Sequence, residues 1–335
     1  MSRPPKNGEI SDPDYSLRTL FCGFCMGLAD VVPGVSGGTL ALILGIYQRL
    51  VAEISRFDSH FIGLLRKRSW AQAATYLDIR FLLTLLAGIA LGIVVAVLTI
   101  SRLLQGPTTR PFVLAAFCGL VAGSIWIVAE KTFRKTGHRQ RWSVFGLNPI
   151  AFVAGGITAA AISLVNPVPP GENVPLVYVF FSATLSICAM ILPGISGALI
   201  LLLLGAYDYV IDALKSLLMF DSIEVHLPVV AVFIAGCLVG LLSFSKMLKW
   251  LLAHRYAATM SSLCGLMAGS LVKIWPFQTD LTPEISEFKH KQFWPRLPDA
   301  ADSTTLFLIF TMLMACSFVL MLRLFSKPPP SRAER

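Results

Sequence analysis

The residues best suited to chemistry lie in two short stretches of small and hydroxylated side chains set inside apolar surroundings. One reads Ala29-Asp30-Val31-Val32-Pro33-Gly34-Val35-Ser36-Gly37-Gly38-Thr39, the other Ile191-Leu192-Pro193-Gly194-Ile195-Ser196-Gly197-Ala198. Proline, both glycines and the serine recur at a single offset. Each stretch continues as an apolar run that closes on Gly45-Ile46-Tyr47 or on Gly205-Ala206-Tyr207. Proline removes a backbone donor and glycine loosens a helix, so each apolar segment is expected to break here and restart. At the restarts, hydroxyls and backbone N–H groups of Ser36, Gly37, Gly38, Thr39, Ser196 and Gly197 would converge with the positive end of a helix. That combination suits an anion such as phosphate or carboxylate. Pro33, Gly34, Pro193 and Gly194 would shape the turns, so these residues join Asp30 in the candidate substrate-binding set.

One helix end contributes at most about 2 kcal/mol, less than the several kcal/mol that burying an anion costs. Two breaks meeting, water and a basic side chain would all be needed. Arg18, Arg49, Arg80, Arg102, Lys215 and Lys273 stand nearest the apolar segments, and snorkelling cations look the same in a sequence. Asp30 is the one carboxylate inside the first break, and its counterpart in the second is Met190. An acid in an apolar segment reads as functional, here as a proton carrier or a partner for a cation; capping a re-entrant turn is the plainer alternative. Nothing points to a catalytic residue. Ser36 is present, but no arginine, histidine or glutamate lies between residues 19 and 48, whereas a hydrolase needs an acid, a base and an anion clamp beside its nucleophile. Cys22 and Cys25 form a CxxC with no second pair, so neither a metal nor a cofactor is expected.

These stretches must be held by membrane-spanning elements. Of 335 residues, 55% are hydrophobic and 14% charged, and runs of about twenty apolar residues recur. The formal charge of +9 does not indicate a nucleic-acid partner, because the basic residues gather in loops between apolar segments. Residues 1–16 are polar and expected to be disordered in the cytoplasm. The segment 17–54 has basic residues on both flanks, which makes it a re-entrant hairpin entered and left from the cytoplasmic side. A connection at 55–79 precedes spans at about 80–104, 112–130 and 145–165. In the second half a broken hairpin at 176–214 has Lys215 as the single lysine of its far flank, so it enters from outside. Spans at 228–250 and 257–275, a polar loop at 276–303, a last span at 304–325 and a cytoplasmic tail at 326–335 complete the chain. Most of the 28 lysines and arginines then fall inside.

The fold expected is therefore an all-α polytopic membrane protein with an inverted-topology repeat, 17–165 and 176–325. Each half has one re-entrant helical hairpin and three transmembrane helices, and both termini are cytoplasmic. A broken helix in each half is a transporter architecture, with the site between the halves. Gly88/Gly92 and Gly236/Gly240 are expected to let helices pack closely, and such faces could border a lateral opening. Tyr47 and Tyr207 sit where interfacial anchors sit.

The two Pro-Gly-x-Ser-Gly stretches, with Gly205-Ala206-Tyr207, resemble those of the PopT-type polyprenyl-phosphate transporter family, formerly a domain of unknown function. The resemblance covers essentially the whole chain. It implies a flippase of the bacterial plasma (inner) membrane that returns undecaprenyl phosphate, the C55 carrier lipid of cell-wall synthesis, to the cytoplasmic leaflet. Gly197-Ala198 stands where Gly37-Gly38 stands in the first motif, so the half-sites are not identical. The partners implied are the polyprenyl-phosphate lipid and the bilayer, and a homo-oligomer is compatible with the sequence. Residues alone reach an anion-binding inverted-repeat transporter. An integral-membrane lipid-phosphate phosphatase and a soluble-anion channel or exchanger are the other classes.

Overall fold

The computed structural model describes residues 13–30, 36–136, 148–165, 174–219, 222–285, 291–299 and 303–325. Pro33 and Gly34, the outer turn at 166–172, the tail at 326–335 and residues 1–12 of the N-terminal segment lie outside them, whereas residues 13–16 open the first helix.

In the first half, α1 (Pro13–Asp30) runs to the first break and α2 (Gly37–Ile43) restarts beyond it. The chain turns at Gly45, whose φ of 77° favours glycine, and enters α3 (Tyr47–Ile54). The 55–79 connection folds into α4 (Ser59–Arg66) and α5 (Trp70–Tyr76), with Asp58 capping α4 by accepting from the Phe61 N–H at 3.0 Å. Then come α6 (Ile79–Leu98), α7 (Ile100–Gln105), α8 (Thr109–Thr136) and α9 (Pro149–Leu164). Asn148 caps α9, with Pro149 in its first turn.

The second half follows the same order: α10 (Leu176–Ile191), α11 (Gly197–Leu203), α12 (Tyr207–Leu218), α13 (Ile223–His254), α14 (Tyr256–Ser270) and α15 (Ser303–Phe325). Each of α10, α11 and α12 falls where α1, α2 and α3 fall once the broken motifs are superposed. The polar loop before α15 carries a short antiparallel β-hairpin, β1 (Gln278–Asp280) and β2 (Phe293–Pro295), with Thr279 opposite Trp294.

Among the described residues, four helices are long and apolar enough to cross a membrane: α6 continued by α7, α8, α13 and α15. A fifth is reached if α11 and α12, bent by 110°, are counted as one broken span. The molecule is a multi-pass membrane protein. The expected spans at 145–165 and 257–275 take shorter form, as α9 with 16 residues and α14 with 15, below the ~20 of a full crossing. The two lie against each other.

Small residues decide which helices meet. In water-free surroundings helices associate through close backbone contact, and a Cβ would forbid it. A Cβ on Gly23, Gly27, Gly88 or Gly92 would overlap backbone across the α1–α6 contact, and one on Gly236 or Gly240 would overlap α10. The matching Cys-Gly-Leu-x-Ala-Gly-Ser runs work alike: Gly119 abuts Met312 of α15, and Gly265 and Gly269 abut Phe152 and Gly156 of α9. So α1 packs on α6 and α10 on α13, while α8 pairs with α15 and α9 with α14. The lateral opening anticipated beside Gly88 and Gly236 is filled by α1 and α10. An open apolar groove lies next to that seam instead, lined by Leu17, Leu20, Phe21, Phe24 and Leu91 with Arg18 at one side.

The main core surrounds the breaks: Ala41, Leu42, Tyr47 and Val51 from the first, Ala189, Ile195 and Ile200 from the second, with Val121 of α8 and Met267 of α14. Leu83, Leu86 and Val94 of α6, Phe181 of α10 and Phe307 and Phe310 of α15 are exposed, as side chains facing lipid tails would be.

Candidate functional site

The two broken segments meet, and they do so through polar groups. Asp30 ends α1, and its Oδ1 accepts from the Gly37 N–H at 2.6 Å. Ser36 is the N-cap of α2, in extended conformation, and its Oγ accepts from the Gly38 N–H at 3.1 Å. The same hydroxyl donates across to the carbonyl of Met190 at 3.0 Å. Tyr47 donates its hydroxyl to the carbonyl of Ile191 at 3.1 Å. In the other direction, the Gly194 N–H donates to Thr39 Oγ1 at 2.9 Å. Three side chains of the first segment thus satisfy backbone groups that α10 leaves open where it stops.

Two glycines make this approach possible. A Cβ on Gly38 would come within 2.9 Å of the Ile191 carbonyl oxygen. Gly194 has φ of +90°, and a Cβ there would stand 2.7 Å from the carbonyl oxygen of Leu266 in α14. The second break is therefore seated on α14, while α2 touches α8.

The half-sites differ. Ser36, Gly37, Gly38 and Thr39 are all buried, with the N–H groups of Gly37, Gly38 and Thr39 directed to Asp30, Ser36 Oγ and the Ser36 carbonyl respectively. Ser196, by contrast, makes no capping bond to α11. Ser186 instead reaches Gly197, donating to its carbonyl at 2.7 Å. The donors expected to stand open at the first restart are occupied by the protein's own carboxylate and hydroxyl. Each restarted helix has seven residues, under two turns, so local donors outweigh any dipole.

Of the expected set, Asp30, Ser36, Gly37, Gly38, Thr39, Gly194, Ser196 and Gly197 are gathered around this junction, and Pro193 is buried beside them. Pro33 and Gly34 lie outside the described residues. Tyr47, read from the sequence as an interfacial anchor, is 2% exposed and bridges the two segments. The repeat of tyrosine after each apolar run was its one signal.

The basic residues sit farther out. Arg49 pairs with Asp78 and lies over Phe81, 4.2 Å from the ring centroid. Arg80 donates to Ser16 at 3.1 Å, and Lys215 pairs with Asp212 on an exposed face at 3.0 Å. Lys273 is tied to the β-hairpin, its carbonyl accepting from Gln278 Nε2 at 2.9 Å, with Arg110 within electrostatic reach. Asp58, outside the membrane segments, has its carboxyl held below the usual range, first by the Phe61 N–H.

Comparison with known proteins places this geometry in context. A family model described as VCA0040-like, undecaprenyl phosphate translocase-like, matches residues 26–292. A polyprenyl-phosphate transporter of Vibrio cholerae serotype O1 is 38% identical over 267 residues, 79% of this chain and 80% of the relative. A polyprenyl-phosphate transporter of Staphylococcus aureus is 29% identical over 263 residues, 76% of this chain and 84% of the relative. No solved structure matches the chain.

Proposed function

Because the chain belongs to the VCA0040-like, undecaprenyl phosphate translocase-like family, we propose that it carries undecaprenyl phosphate across the bacterial plasma membrane, from the outer to the cytoplasmic leaflet. The observation that carries this reading is the junction of the breaks, where Ser36, Thr39 and Tyr47 reach Met190, Gly194 and Ile191. Polar backbone inside an apolar bundle is costly unless it serves a cavity or a partner. Here two such segments meet between two halves of like order.

The halves form an inverted-topology repeat, 17–165 and 176–325, each with a re-entrant hairpin and three membrane helices, both termini facing the cytoplasm. The pairing of helices supports this: exchanging the halves turns the α1–α6 contact into α10–α13 and the α8–α15 contact into α14–α9. The phosphate headgroup sits between the breaks, against Ser36, Gly37, Gly38 and Thr39 on one side and Ser196 and Gly197 on the other. The tail stays in the bilayer, since each buried CH₂ contributes about 0.8 kcal/mol. The arrangement described is then the closed one, in which Asp30 holds the donor the phosphate will use. An arriving phosphate must displace the carboxylate or arrive with a proton that neutralises it, which couples Asp30 to transport. The hydrolase reading differs by the release of phosphate, and the acid at the break is engaged with the Gly37 N–H.

The test is transbilayer movement in proteoliposomes, scored by exposure of the C55-phosphate headgroup to an impermeant phosphatase. The wild type should equilibrate the phosphate lipid in minutes, and the Ser36→Ala/Ser196→Ala pair should slow it at least tenfold. Equal movement of the C55 alcohol, release of phosphate without added phosphatase, or flux of inorganic phosphate alone would each overturn the assignment.

A further inference from the structure

A second polar cluster lies away from the breaks, at the end of the bundle covered by the β-hairpin. Arg110 stands in the first turn of α8 and Lys273 in the turn that follows α14. Arg110 Nη2 donates to Gln278 Oε1 at 2.5 Å, and its guanidinium lies 3.3 Å from the centroid of the Phe293 ring. Gln278 in turn donates its Nε2 to the Lys273 carbonyl at 2.9 Å, so β1 clasps both cationic residues from above. Burial weighs most on the Lys273 ammonium, and Arg110 stands within electrostatic reach of it. Among the described residues that ammonium has no hydrogen-bond or ion-pair partner. Asp280, the carboxylate within electrostatic reach of Arg110, is bonded to Lys291 Nζ at 2.6 Å and to the Thr282 N–H at 3.0 Å.

Two partly buried cations bridged by one glutamine and within electrostatic reach of each other repel and lose hydration. The protein keeps them together where an anion with several acceptor oxygens would relieve both costs. Their place in the fold is informative too. Lys273 is seven residues beyond Leu266, about 10 Å at 1.5 Å per residue, and Leu266 is the residue on which Gly194 of the second break rests. The opposite end has no counterpart. Laying Cys118–Ser124 on Cys264–Ser270 puts Arg110 on Tyr256 and Lys273 on Ile127.

We propose that Arg110 and Lys273, roofed by the β-hairpin, form a loading site for a phosphate monoester at the hairpin-bearing end of the bundle, outside the membrane in the topology proposed above. It rests on that reading of the function. The site raises occupancy from one side and shortens the path to the breaks; it does not by itself drive net movement, which the gradient sets.

The experiment is equilibrium binding to the purified full-length protein in nanodiscs, with C55 phosphate, the C55 alcohol and inorganic phosphate as separate probes. Lys273→Gln should weaken C55-phosphate binding about tenfold, the worth of one charge-assisted hydrogen bond, and Lys273→Arg should restore it. Lys215→Gln, which removes an exposed cation paired with Asp212 away from the cluster, should bind as the wild type does. Binding of the alcohol should be unchanged throughout. Lysine-dependent binding of inorganic phosphate without preference for the phosphate lipid would keep the anion site and overturn the lipid reading of the function. Unchanged C55-phosphate binding in Lys273→Gln, or an equal loss in Lys215→Gln, would overturn the loading site, because binding would then follow the overall charge and not this cluster.

Discussion

Asp30→Asn separates a carboxylate that competes with substrate from one that only caps a turn. In the structure Asp30 Oδ1 accepts from the Gly37 N–H at 2.6 Å. A hydrogen bond to a charged group contributes about 1.5–3 kcal/mol net, and a neutral one about 0.5–1.5 kcal/mol. Asparagine keeps an oxygen for the Gly37 N–H but surrenders the charge, so the internal competitor weakens by about 1 kcal/mol. A phosphate that must take that donor should then bind about fivefold tighter, at 1.4 kcal/mol per tenfold. The same variant should lose about 1 kcal/mol of stability and all dependence of transport on a proton gradient. The assay is C55-phosphate binding to purified wild type, Asp30→Asn and Asp30→Ala, with the C55 alcohol as control and thermal unfolding alongside. Weaker or unchanged phosphate-lipid binding in Asp30→Asn, with melting lowered in step, would refute the competition and leave Asp30 as a cap.

Tyr47→Phe strips the hydroxyl from a 2% exposed side chain and leaves the Ile191 carbonyl without it; unfolding should show a loss of about 1–3 kcal/mol. Gly88→Ala pushes a methyl into the Leu20 backbone of α1 and should cost about 1–3 kcal/mol or more, whereas Gly63→Ala, with open space around it inside α4, should gain about 0.5–1 kcal/mol, both read by thermal unfolding in detergent. In the β-hairpin, burial pushes the Asp280 carboxyl up, but Lys291 and the Thr282 N–H outweigh it and hold it below its usual value. A depressed folded value stabilises above the ordinary carboxylate range and is lost on acidification, so tryptophan fluorescence from Trp275 and Trp294 should stay constant down to about pH 4 and change below it. Cysteines placed at Ser16 and His60 should react with an impermeant maleimide from the same side of the membrane; opposite sides would end the inverted repeat.

Backbone chemistry made the breaks readable. Pro33-Gly34 and Pro193-Gly194 interrupt apolar runs at one offset, and proline and glycine have few other reasons to recur so. What the broken ends do with their donors was not readable, because it depends on which acid the turn returns to them. Asp30 and Gly37 stand seven positions apart, and nothing in that spacing announces that the carboxylate accepts from that N–H. Tyr47 was misread for a related reason: a tyrosine at a helix start looks interfacial until the second break supplies an acceptor. The twin Cys-Gly-Leu-x-Ala-Gly-Ser runs said that α8 and α14 are equivalent, yet equivalence does not name neighbours, and each chose a helix from the other half. The β-hairpin left no trace at all, since three-residue strands are too short to show alternation.

That exchange of neighbours has a consequence for how the molecule is made. Gly119 and Gly123 of α8 close against Met312 and Cys316 of α15, which begins only at Ser303 and so leaves the ribosome long after α8. At about 5–20 residues per second, α8 waits on the order of ten seconds or longer for its partner, its glycine face turned to lipid or to the insertion machinery. The first half therefore cannot finish folding by itself during synthesis. A chain truncated before α15 would be a substrate for membrane quality control rather than a half-transporter, and two halves expressed as separate chains would be held together by the α8–α15 and α9–α14 seams.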